Sequence, residues 1–208
     1  MSSQLTSDFL LSAYCHGYFP MAESRQGPIG WYEPFERAIL EFDNLKISRS
    51  LAKVVGSDKF ALTIDRAFSR VVHHCATTRD ETWISPEIEA AYAELHHIGF
   101  AHSLEVWQDQ ELVGGLYGVS INGAFFGESM FHCRRDASKA ALVYLVEHLK
   151  SRGFLLLDCQ YINSHMESLG ASVISREAYQ ERLAQALAAS VSFLDSSPRL
   201  HFDSQQSR

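Results

Sequence analysis

Cysteine is scarce and scattered in this 208-residue chain. Its four cysteines (Cys15, Cys75, Cys133, Cys159) include no C-x-x-C pair. That spacing argues against a disulfide framework or a zinc ribbon, and reduced, mostly buried thiols of a cytoplasmic protein are expected. No apolar run approaches the ~20 residues needed to cross a bilayer. The N-terminal MSSQLTSDFLLSAY has neither a basic n-region nor a long apolar core, so no signal peptide and no membrane association are expected. Internal repeats are absent, and the polar tail SQQSR is the one biased tract. The ten histidines include His73-His74 and His96-His97 but no H-E-x-x-H or other ligand spacing, so no metal site is expected. Ser129 lacks the G-x-S-x-G elbow of a nucleophilic serine.

The chain also lacks an overall positive charge. Its net charge is −7, which by itself argues against a polyanionic partner. The distribution says more. Between Asn44 and Arg79, seven basic residues (Lys46, Arg49, Lys53, Lys59, Arg66, Arg70, Arg79) face two acidic ones (Asp58, Asp65). Such a segment on an acidic protein is a candidate phosphate-binding surface, or else a set of solvated helix faces.

What is present is a soluble, core-forming composition, 46% hydrophobic and 21% charged. A first helix fits Ser7 to His16, stopped by Gly17, and the Gly-, Pro- and aromatic-rich stretch from Gly17 to Pro34 reads as a loop. Alternation suggests strands at Ala38–Phe42 and Phe60–Ile64, and Ser48 and Asp65 are candidate caps of two helices between and after them. Ser85-Pro86-Glu87 opens a helix with a cap, a first-turn proline and an acidic residue at the positive end. Three apolar runs (His102–Gln108, Glu111–Ile121, Gly123–Phe131) then follow, linked by Asp109-Gln110 and Asn122-Gly123. Asn-Gly between such runs predicts a hairpin with positive φ at both turn residues.

Asp136 can cap the helix ASKAALVYLVEHLK, which Gly153 stops before a strand, FLLLDCQ, that can lie parallel to one of the meander. Short helices at about Ser164–Leu169 and Arg176–Ala189 complete the chain. The predicted fold class is α+β: a small N-terminal α/β domain over 1–60, and a domain over 61–208 with a mixed, mostly antiparallel sheet. Helix, three antiparallel strands, helix, strand, helix is similar to the order in acyltransferases of the GNAT type. The Gly114-Gly115 and Gly118 pattern marks a bulge or a close backbone approach. It lacks the loop that holds a CoA pyrophosphate at a helix N-terminus in those enzymes.

Two carboxylates stand out. Alternation places Ala124, Phe126, Glu128 and Met130 on one face, with Gly127 allowing close approach beside Glu128. Asp158 and Gln160 share a face at the end of FLLLDCQ, while Leu157 and Cys159 point the other way. A carboxylate among apolar groups costs several kcal/mol unless paired or protonated. A site can use it, or it can cap the next helix or pair with an arginine such as Arg176. Cys159 reads as a buried thiol. Trp31, Tyr32 and Trp83 are core anchors or platforms for stacking on bases.

These pieces together resemble the leucyl/phenylalanyl-tRNA–protein transferases. The resemblance is carried by Y-x-x-G-x-F-P from Tyr14, TWI at Thr82, GFAHSLEVW at Gly99, LVGGLYG at Leu112, FGESMF at Phe126, ASKAAL at Ala137, and LDCQ followed by H-x-x-SLGA. It implies transfer of Leu or Phe, less readily Met, from aminoacyl-tRNA to proteins beginning with Arg or Lys. These products then enter the N-degron route to proteolysis. It implies a monomer without cofactor or metal. Asp158 would draw a proton from the amine, directly or through Gln160, or only orient it, and Glu128 would meet the cationic acceptor or position its amine. The resemblance also implies a side-chain pocket of Leu116, Phe125, Leu142, Leu145, Leu149 and Leu157, stacking by Trp83, and acceptor-stem contacts by Arg49 and Lys53. Met21 stands where the family often has Trp, and Leu145 and Leu149 where Phe is frequent. A CoA-dependent N-acyltransferase and a non-catalytic tRNA-binding protein are the alternatives.

Overall fold

The computed structural model describes residues 5–78 and 81–200. Arg79 of the basic segment and the SQQSR tail lie outside the described residues. Helix α1 (Ser7–Cys15) starts where the Thr6 hydroxyl accepts from the Phe9 N–H, and ends before Gly17 at φ 84°. The stretch read as a loop contains a small antiparallel ribbon, β1 (Phe19–Ala22) on β2 (Ile29–Tyr32). Four-residue strands among glycines and prolines leave too little alternation to read. Next come β3 (Glu36–Ile39), earlier than the predicted strand, and α2 (Arg49–Val55), which Ser48 caps as expected.

After β4 (Ala61–Ile64) comes α3 (Phe68–Thr77). Asp65 does not cap it. Asp65 sits at φ 57° and accepts from the Ser103 N–H and from His102. The wholly buried Glu105 instead accepts from the Arg66 and Ala67 N–H groups at the helix start. Helix α4 (Pro86–His97) follows with its Ser85 cap.

The meander is β5 (Ala101–Gln108), β6 (Glu111–Ile121) and β7 (Ala124–His132). Asp109, Gln110 and Asn122 have positive φ, but Gly123 does not. Glycine is needed at 123 for space, since a Cβ there would meet the Ala186 carbonyl at 2.9 Å. Helix α5 (Ala137–Arg152) follows Asp136, which takes φ 70° and makes no side-chain cap bond. β8 (Leu156–Gln160) then returns parallel to β7, followed by α6 (Ser164–Ser168), β9 (Ser172–Ser175) and α7 (Arg176–Ala188). The large sheet runs β4-β5-β6-β7-β8-β3-β9, with β7–β8 its parallel pair. The α+β class with a mixed, mostly antiparallel sheet is therefore observed. β3, which comes from residues 1–60, is built into this sheet between β8 and β9.

One core packs α1, α3, α4 and α7 on one face of the sheet, and a second packs α5 and Met166 of α6 on the other. Each fully buried leucine or phenylalanine contributes roughly 1.5–3 kcal/mol. A bulge interrupts β6–β7: Tyr117 pairs with Ser129 and Gly118 with Gly127, leaving Glu128 without a counterpart. The alternation expected across β7 therefore reverses. Phe126 and Phe131 share one core, while Phe125 and Met130 belong to the other. Gly118 permits the bulge, because a Cβ there would lie 2.3 Å from the Phe126 carbonyl. The β7–β8 ladder ends at Phe126–Asp158, and a cavity opens beyond it. Among the described residues, no helix is long and apolar enough to cross a membrane.

Candidate active site

The cavity, of about 610 Å³, has apolar walls from β6, α5 and β8 and a polar end made by β7 and β8. It brings together Leu116, Leu142, Leu145 and Leu157 with Glu128, Asp158, Gln160 and Trp83. Met130, Met166 and Met21 add to its lining. Phe125 and Leu149 are fully buried in the core of the α5 face and do not line it. They back the cavity wall rather than form it. Arg49 and Lys53 are exposed on α2, which packs against α5, and are likewise not part of the lining. A second, basic cavity of about 650 Å³ adjoins the first through His132, Ser138 and His165 and carries Arg134, Arg135 and Lys139.

Asp158 is wholly buried and saturated with donors. Arg37 Nε lies 2.9 and 3.1 Å from its two oxygens and Nη2 lies 2.6 Å from Oδ2. The Tyr179 hydroxyl donates to Oδ2 at 2.8 Å, and the Gln160 N–H to Oδ1 at 2.8 Å. The arginine expected as a partner, Arg176, instead pairs with Glu33. Arg37 is 1% exposed, lies over the Phe19 and Tyr179 rings, and donates from Nη1 to the Gly17 carbonyl. Burial works against its charge, but Asp158 outweighs burial and pushes the guanidinium pKa up. The ion pair thus ties β8 to β3 and to the end of α1.

Glu128 is buried among neutral donors. Tyr14 donates to Oε1 at 2.7 Å, Tyr92 to Oε2 at 2.9 Å, and Gln160 Nε2 to Oε1 at 2.9 Å. The two phenol oxygens also contact each other. Burial pushes the Glu128 carboxyl up to about 7, against the pull of these hydrogen bonds. Burial and the nearby Glu128 raise the Tyr14 and Tyr92 phenols, which therefore stay protonated donors. Gln160, at φ 61°, bridges the two carboxylates: its N–H serves Asp158 and its side-chain amide serves Glu128. Burial raises the Cys159 thiol, which makes it a poor nucleophile.

Sequence reasoning missed Arg37, Tyr14, Tyr92 and Tyr179. The signal available for Arg37 was an arginine on a strand whose neighbours Ala38 and Ile39 are core residues, a position that demands a buried anion. The tyrosines carry no such mark.

The arrangement offers an apolar slot for one side chain and, at its mouth, a carboxylate and an amide for a proton-bearing group. The sequence matches the family model "Leucyl/phenylalanyl-tRNA protein transferase" over residues 39–184 and the model of that family's N-terminal domain over residues 3–34. It is 57% identical over 184 residues to the leucyl/phenylalanyl-tRNA–protein transferase of Ruegeria sp. (strain TM1040), covering 88% of this chain and 87% of the relative. The protein of the same name from Chlorobaculum tepidum is 50% identical over 188 residues, covering 89% and 97%. Among solved structures, L-PGS from Bacillus licheniformis aligns with a TM-score of 0.40 at 14% identity, over 76% of this chain and 51% of that one. A ribosomal-protein-alanine N-acetyltransferase from Brucella melitensis biovar Abortus 2308 gives 0.38 at 14% identity, over 69% and 99%. On the two family models and the two transferases 57% and 50% identical to it, the chain belongs to the leucyl/phenylalanyl-tRNA–protein transferase family of aminoacyltransferases.

Proposed function

We propose that this enzyme transfers Leu or Phe, and less readily Met, from aminoacyl-tRNA to the α-amino group of proteins beginning with Arg or Lys, and so marks them for N-degron proteolysis in the cytoplasm. The observation that carries the reading is the junction of an apolar slot (Leu116, Leu142, Leu145, Leu157) with the Glu128–Gln160–Asp158 cluster. An aminoacyl ester seated with its side chain in the slot presents its carbonyl to that cluster, where the acceptor's amino end arrives. The reaction is aminolysis of an ester and needs no ATP. Trp83 lines the cavity beside Met21 and is the residue that would stack near the terminal adenosine. Arg49 and Lys53 on α2 face the acceptor stem, and Arg134, Arg135 and Lys139 supply positive charge beside the cavity. A slot used by Leu and Phe takes side chains unbranched at Cβ, so Ile and Val are expected to be rejected, and moving or removing one methyl group discriminates by only about 10–200-fold.

The test mixes the enzyme with labelled Leu-tRNA and a peptide beginning with Arg, with acetyl-CoA in a parallel arm. Label is expected to move to the peptide. Turnover of acetyl-CoA without tRNA, and none of Leu-tRNA, would establish the CoA-dependent alternative instead.

A further inference from the structure

We propose that Glu128 takes the proton from the attacking amine, and that Asp158 is a positioning residue, locked by Arg37 and Tyr179, that fixes Gln160 beneath it. The proposal rests on the aminoacyl-transfer reading above and deepens it.

Asp158 has little room to act on a proton. Both oxygens are taken by Arg37, one further by Tyr179 and the other by the Gln160 N–H. Protonating it would strand the Arg37 charge in a site only 1% exposed. What Asp158 does hold is backbone. Gln160 sits at φ 61°, a conformation uncommon for a side chain-bearing residue, and its N–H is pinned to Asp158 Oδ1. That pin sets the direction of the Gln160 amide, which donates to Glu128 and leaves its oxygen to accept from an incoming amine.

Glu128 differs in kind. Its hydrogen-bond partners are neutral, and it lines the cavity at the bulge of β7. Counting hydrogens identifies the state it is built to reach. Tyr14, Tyr92 and Glu128 form a triangle of oxygen–oxygen contacts, yet the two phenols bring only two hydrogens. A carboxylate leaves one side of the triangle without a hydrogen. A proton on Glu128 completes a closed ring in which the two phenols and the carboxyl group each donate once and accept once. The groups facing Glu128 are Tyr14 of α1, Arg37 of β3, Tyr92 of α4, Tyr117 of β6, and Asp158 and Gln160 of β8. Its value of about 7 lies close to the ~7.7–8.0 of an α-amino group, so proton exchange between them is nearly balanced.

In the step itself, the neutral amine nitrogen bonds to the ester carbonyl carbon and gives one proton to Glu128. The carbon–oxygen bond to the ribose breaks, and the ribose oxygen takes that proton from Glu128. An amide and a free hydroxyl result, and the carboxylate is regenerated.

Steady-state transfer from Leu-tRNA to the Arg-peptide, measured against pH, tests this in the full-length protein. Glu128→Gln is expected to lower kcat on the order of 100-fold or more, with KM for the peptide little changed and the ionisation near pH 7 lost from the acidic limb, leaving only that of the acceptor amine. Tyr14→Phe removes a donor to the carboxylate, so its acidic limb is expected at higher pH than in the wild type. Asp158→Asn is expected to lower kcat while its limb stays at the wild-type pH. A raised KM with kcat preserved in Glu128→Gln would make Glu128 a cation-binding group and overturn the proposal. Loss of the limb in Asp158→Asn would return the proton to Asp158. Should Glu128→Gln not fold, an unmoved limb in Tyr14→Phe overturns it alone. Wild-type protein inactive with Leu-tRNA would fell the underlying reading as well, a result distinct from active enzyme indifferent to Glu128.

Discussion

Asp158 and Glu128 are both carboxylates on apolar strands, and their surroundings give them opposite chemistry. One is paired with a cation, the other ringed by neutral donors. Both were legible from alternation because each interrupts an apolar run. Their partners were not, since Arg37 lies 121 residues from Asp158 and Tyr14 lies 114 from Glu128. The raised Glu128 value has a stability consequence with a definite sign. Between the ordinary carboxylate value of 4.5 and about 7, the folded protein holds a proton that the unfolded chain has released. That contribution is fully present below 4.5 and is lost as pH rises through 7. It is on the order of 3 kcal/mol. Glu128→Gln should therefore gain stability over wild type at pH 8 and much less at pH 5 in urea unfolding. A gap independent of pH would contradict the raised value.

At the scale of elements, the site exists because two strands stop pairing. The β7–β8 ladder ends at Asp158, and the bulge at Glu128 turns β7 so that its carboxylate lines the opening. The meander, the long helix α5 and the returning β8 could be read from alternation and turn residues. The bulge could not, because it depends on how β6 and β7 register, and the four-residue strands β1, β2 and β9 were too short to show a period. β3 matters most of the elements misjudged, since it carries Arg37 to the edge of β8. Replacing Arg37 alone by Met should destabilise the fold by about 3–5 kcal/mol through the stranded Asp158. Pairing it with Asp158→Leu should recover most of that loss while transfer activity stays low. Urea midpoints and the transfer assay on both variants decide it, and additive losses would show that the ion pair is not a unit.

For the molecule as a whole, the acidic net charge conceals a run of basic residues between Asn44 and Arg79. Arg49, exposed on α2, was legible as part of a charge run but not as a phosphate contact, because a solvated helix face gives the same pattern. If Arg49 meets a phosphate, Arg49→Ala should weaken tRNA binding and reduce the slope of log K against log salt by roughly 0.7–0.9. An unchanged slope, measured by titration at several salt concentrations, would remove it from the interface. The N-terminal elements reach the site as well: α1 brings Tyr14 to Glu128, and the Gly17 carbonyl and Phe19 of β1 contact Arg37, the partner of Asp158. The central claim is transfer of an apolar aminoacyl group, unbranched at Cβ, to a free N-terminal amine. Labelled Leu-tRNA and Ile-tRNA, each offered with an Arg-peptide whose α-amine is free or acetylated, test it most directly. Label is predicted on the free peptide from Leu-tRNA and, at least tenfold less, from Ile-tRNA, with none on the acetylated peptide. Equal transfer from both tRNAs, or any onto the acetylated peptide, would contradict it.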